Sequence, residues 1–267
     1  MTDLAPPVFY ALVQARFNTV SLMDKYIQEI QDLLRREGFP HFDTRIFKQI
    51  QLLRTHEGLG ADDNNPKLIS AQQWYLTNAE RNSGFIINRD SVSFQTTCYQ
   101  TREEFLHRLL EGLKVIDKVV HLEFVTRLGM RYLDAIQPIN DQPTEEYISP
   151  GIHGVDLPWA LQRSSFESRY TTEGGPLFNN GTLVARINYL SGALAFPPDL
   201  QLHNIHVNPR FSKKFDRYAV LDTDHSSGGQ APLDYDKLDK EFRHLHSHIR
   251  EVFNSVTTEH ARKIWGL

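Results

Sequence analysis

One cysteine, Cys98, stands in 267 residues, which excludes an internal disulfide and makes a reducing compartment the default. Its strand-like neighbours predict an ordinary buried thiol. No apolar run approaches the roughly 20 residues that a spanning helix needs, so no membrane partner is expected. The first seven residues carry neither a basic start nor an apolar signal core, and a cytoplasmic location is the expectation. Positive charge is also short. With 29 Lys and Arg against 33 Asp and Glu the formal net charge is −4, so nucleic-acid binding would need a local basic patch. There is no Gly-x-x-x-x-Gly-Lys, no Gly-x-Gly-x-x-Gly and no Gly-x-Ser-x-Gly. Those absences remove P-loop, dinucleotide and nucleophile-elbow chemistry, and nothing beside Cys98 would activate it. No cofactor and no metal is expected.

What the chain does have is an average globular composition. Hydrophobic residues make up 40% and charged ones 23%, enough to form a core and too apolar for wholesale disorder. The length admits one large domain or two small ones.

The period of two over 6–20 predicts a long first strand, with Phe9, Ala11, Val13, Ala15 and Phe17 on one face. Ser21 with Asp24 reads as a capping-box variant that opens a helix ending at Gly38. A strand over 49–55, a polar surface loop over 56–70 and short strands over 73–79, 84–88 and 91–99 follow. Thr101 and Glu104 cap a second helix carrying Phe105, Leu109, Leu113 and Ile116. The order then starts again: a long strand over 121–136, a short helix over 143–148, strands over 161–172, 182–190, 192–202 and 218–223, and a Ser/Gly/Pro connector over 225–232. Two amphipathic helices, over 234–254 and 258–265, close the chain.

The expected fold is therefore α+β, built as two pseudo-duplicated β-α-β4-α-like halves. Antiparallel sheets would carry the long helices on one face. The halves would be 1–118 and 119–267, forming one compact unit, and the repeat lies in element order rather than in residue identity. The other sheet face would then be concave or packed on a partner. If the halves pair through their leading strands, Arg16, Arg127 and Arg131 converge there.

Three constellations are candidates for chemistry. On an extended strand Arg127, Gly129 and Arg131 project to one side, the arginines about 13 Å apart. The glycine removes bulk between two cations that suit a phosphate or carboxylate, with Arg16 as a further contributor. The plainer alternative pairs these arginines with acids such as Glu123 and Asp134. Asp222 and Asp224 share a face, and with His225 they suit a hard cation and a proton acceptor; acids in that position are also ordinary turn formers. His244 and His248 share a helix face with His246 between them. No glutamate follows His244, so a solvated face is the stronger reading.

The segments 6–17, 127–136 and 245–266, in that order, resemble a sporadically distributed prokaryotic family of about this length. In that family an Asn is more usual at the position of Asp134. The resemblance implies no activity, cofactor or catalytic residue; it implies a place in mobile or defence-related gene sets. The leading expectation is a non-catalytic cytosolic binding or accessory module. Its partner would be a protein, an anionic ligand held by Arg16, Arg127, Gly129 and Arg131, or a second copy of the chain. The alternatives are a metal-dependent phosphoesterase or nuclease using Asp222, Asp224 and His225, and nucleic-acid binding through an open sheet face.

Overall fold

Strand alternation and helical stripes produce one antiparallel sheet with helices packed on it. The computed structural model describes residues 6–51, 67–139, 142–153 and 164–267. The strands are β1 (Val8–Phe17), β2 (His41–Gln51), β3 (Lys67–Thr77), β4 (Ser83–Asn88), β5 (Ser91–Thr96), β6 (Phe124–Ile136), β7 (Ser165–Glu173), β8 (Asn180–Gly192) and β9 (Phe215–Pro232). The helices are α1 (Met23–Arg36), α2 (Arg102–Val120), α3 (Tyr235–Val256) and α4 (Glu259–Ile264). Spatial order is β2-β3-β4-β5-β1-β6-β9-β8-β7, every neighbouring pair antiparallel. Among the described residues no helix is long and apolar enough to cross a membrane.

This corrects the expectation of two pseudo-duplicated halves with long helices on one face. A single nine-stranded sheet runs across the proposed boundary, because β1 and β6 pair directly along Val8 to Phe17. The boundary at 118/119 falls inside α2. After β6 three strands, not four, follow among the described residues, and 3-10 turns at Thr144–Glu146 and Pro150–Ile152 stand where the first half has α1. The stretch expected as a strand over 192–202 is irregular, and the expected connector over 225–232 is instead the end of β9. Of the strand expected over 49–55, residues 49–51 belong to β2; 52–55 lie outside the described residues, as do 56–66 of the expected loop.

Three cores follow from these faces. Ala11, Val13, Ala15 and Phe17 of β1 meet Ile27 and Ile30 of α1, Leu109 and Leu113 of α2, and Phe242 and Leu245 of α3. A register shift between Val8 and Tyr10 turns Phe9 away from this set, as a β-bulge does. Phe9 and Tyr10 join Leu133, Tyr218 and Phe211 in a second core, where Phe196 of the irregular stretch packs edge-on against both rings. A third core unites Tyr147, Tyr189 and Leu221 with Trp265.

Gly112 shows how closely α2 sits on the sheet. A Cβ there would lie 2.2 Å from Phe85 Cε1, and Phe85 is fixed between the rings of Phe39 and Phe94. Helix propensity alone favours alanine by about 1 kcal/mol. Overpacking wins: Gly112→Ala is expected to destabilise by about 1–3 kcal/mol, read as a lower urea midpoint at unchanged slope. A rise in the midpoint would show that Phe85 can move aside.

Candidate functional site

Arginines 16, 127 and 131 do share one sheet face. The β1–β6 register sets Arg16 opposite Arg127, Gln14 opposite Gly129 and Leu12 opposite Arg131. Their states differ. Arg131 is buried, and its Nε and Nη2 each donate to one oxygen of the fully buried Asp222 at 2.7 Å. Its Nη1 reaches Asp199 at 2.5 Å. Arg186 adds a second cation 3.4 Å from Asp222 while holding Glu167 at 2.6 Å. Arg16 pairs with Asp90 at 2.8 Å on the surface. Arg127 donates to Gln14 Oε1 at 3.2 Å, and among the described residues no carboxylate lies within ion-pair distance of it. Gly129 leaves room for Arg127 itself, since a Cβ there would be 3.2 Å from Arg127 Nη1. The partners Glu123 and Asp134, offered by proximity in sequence, are not the ones used.

Asp222, Asp224 and His225 are not brought together. Strand β9 continues past them, so alternation sends His225 to the opposite face. There its Nδ1 meets the Leu245 carbonyl at 3.0 Å and its Nε2 the Thr172 hydroxyl at 2.9 Å. Burial lowers His225 to about 4. Asp222 is committed to Arg131, and burial raises Asp224 despite the opposing pull of Arg127 and Arg131. Among the described residues no three Asp, Glu, His or Cys side chains stand where one metal ion could join them. Cys98, expected to be buried, is exposed.

Several unsatisfied buried polar groups lie on the helix side of β6. Tyr132 and Asp134 follow Met130 at a spacing of two and face α3. Asp134 is 4% exposed, makes no hydrogen bond, and its Oδ1 is sealed from solvent. Burial pushes its carboxyl up to about 7. The Tyr132 hydroxyl is likewise buried without a hydrogen bond of good geometry, and burial raises its pKa. Tyr132 is ringed edge-on by Tyr99, Phe105 and His246. His246, on α3, has an unpartnered Nδ1; burial first, then Arg102 and Arg250, lowers it to about 4.

These three groups line one cavity of about 500 Å³, bounded by the first residues of β1, the start of α2, and α3. That volume suits a small molecule. From the sequence, Asp134 is a departure from the resembling family and a candidate arginine partner, and His246 lies off the face that His244 and His248 share. The available signal was an acid in register with Met130 and Tyr132 on an otherwise core-facing strand face. Compared with protein-family models and with curated protein sequences, the chain matches none.

Proposed function

We propose that this chain is a non-catalytic binding module for a small molecule, with the cavity at Asp134 as its site. One observation supports the reading above others: Asp134, Tyr132 and His246, whose buried Oδ1, hydroxyl and Nδ1 lack a hydrogen bond of good geometry, all line the same hollow. Buried polar groups are nearly always hydrogen-bonded, because an unmet donor or acceptor costs about 1–3 kcal/mol. Three such groups beside one cavity suit a ligand that brings matching donors and acceptors. Nothing in the cavity pairs a nucleophile with a base by hydrogen bonding, which is why binding is preferred to catalysis. On the arginine face, by contrast, Arg131 and Arg16 already hold carboxylates.

The test is a ligand-observed NMR screen of neutral and charged fragments on the full chain. Asn254→Trp, an exposed position at the cavity, obstructs it without touching the core. Fragments should bind the native chain and lose that binding in the variant. Equal binding to both would move the site elsewhere, and an empty screen would remove the reading.

A further inference from the structure

The charges around the Asp134 cavity are sorted by depth. At the floor stand Asp134, which makes no hydrogen bond, and Tyr132, whose hydroxyl has only that of Tyr99 beside it; both lie on β6 and are nine-tenths or more buried. Tyr99 and His246 form the walls beside them. Around the rim are Arg102 and Glu103 at the start of α2, Arg250 on α3 and Arg262 on α4. Arg102 and Glu103 pair with each other at 2.5 Å. Arg262 is spent on the carbonyls of Asn254 and Thr257. Arg250 is exposed and makes neither ion pair nor hydrogen bond among the described residues. The positive end of α2, a helix of 19 residues, adds to this field.

Resting on the binding-module reading, we infer that the cavity takes a small amphoteric molecule. Its N–H groups meet Asp134 and Tyr132 at the floor, and its carboxylate or phosphate meets Arg250 at the rim. A carboxyl group with no donor in reach calls for N–H groups from the ligand. A purely cationic ligand would have to pass Arg250, Arg262 and a helix N-terminus, Arg102 being paired with Glu103. A purely anionic one would leave the polar groups of the floor unmatched. Amphoteric ligands reconcile the two ends, the acid lying where Arg250 can grip it through its planar fork. Two sources share this chemistry: a free nucleotide, whose base edge carries N–H groups, and a free α-amino acid. The aromatic walls accept either.

Calorimetric titration of the full chain decides, with the four nucleoside 5′-monophosphates in one arm and the L-amino acids in the other. Binding in one arm identifies the source. The parent nucleoside, or the amino-acid amide, should then bind about tenfold more weakly. Arg250→Ala should weaken the acidic compound by a similar factor and leave the counterpart that lacks the acid unchanged. Asp134→Leu should abolish both, with circular dichroism verifying the fold. If neither arm binds while neutral fragments still enter the cavity, the amphoteric assignment falls and the binding-module reading stands. Binding that ignores both the missing acid and Arg250→Ala also overturns it.

Discussion

Replacing Asp134 with Asn raises stability by about 4 kcal/mol at pH 8 and by little near pH 4, each pKa unit being about 1.36 kcal/mol. Burial holds the folded-state carboxyl at about 7, against an ordinary 3.8. Between those values the folded chain keeps a proton that the unfolded chain has released. Stability therefore falls as pH rises through this window, and the loss is complete above it. Two histidines act in the opposite direction. His225 and His246 are lowered by burial from 6.5 to about 4, so the unfolded chain binds more protons across that interval and stability rises with pH there. Asp224, also raised by burial, adds a second fall that starts from the ordinary carboxylate range; the two histidines carry the rise up to pH 6.5, and above it no rise remains. The native chain should thus be most stable near pH 6.5. Asp134→Asn removes the decline and leaves a plateau to pH 8. Urea unfolding from pH 4 to 8 reads both curves. A difference between them that is independent of pH would show that Asp134 is already ionised in the folded state at low pH.

Asp134 also marks where the sequence stops being legible. Its strand, the first strand and the three long helices declare themselves through apolar period, and their bounds lie within a few residues of those found. The end of β9 does not. Ser226, Ser227, Gly228 and Gly229 have turn composition, yet the strand lies inside the sheet between β6 and β8, and both neighbours pair with it through Ser226 and Ser227. Ladder bonds on two edges override weak strand propensity. Residues 192–202 fail in the opposite sense. They alternate well enough, but Pro197 and Pro198 cannot donate to a ladder, and Phe196 packs on the sheet instead. The capping-box reading of Ser21 fails because Leu22 is the N-cap and Asp24 is held by Arg89. The site depends on distant partners in the same way. That Asp134 faces His246 across a cavity, and that Arg131 finds Asp222 rather than Glu123, follows from strand order and helix placement. No local pattern carries either.

Arg131→Ala should be the most damaging single change on the arginine face, at about 3–5 kcal/mol, because it strands a buried carboxylate. Asp222 is 0% exposed and both its oxygens accept from Arg131. Arg186, 3.4 Å away, is the one remaining cation in contact and is already tied to Glu167, which places the loss toward the lower end. Asp199 is different: its side chain is 64% exposed, and Asp199→Asn should cost under about 1 kcal/mol, as surface pairs do. Its larger effect would be kinetic. Asp199 lies in the irregular stretch that covers Phe9 and Tyr10, so amides of 193–202 should exchange faster in the variant while the sheet is unchanged. The buried pair itself is tested by changing both partners. Arg131→Met with Asp222→Leu removes two charges together and leaves neither uncompensated, so it should recover most of what Arg131→Ala loses. If the double variant is as unstable as the single one, the loss comes from packing of the arginine stem rather than from the stranded charge. Equal urea midpoints for Arg131→Ala and the native chain would mean that Asp222 takes up a proton or finds water when its partner is gone.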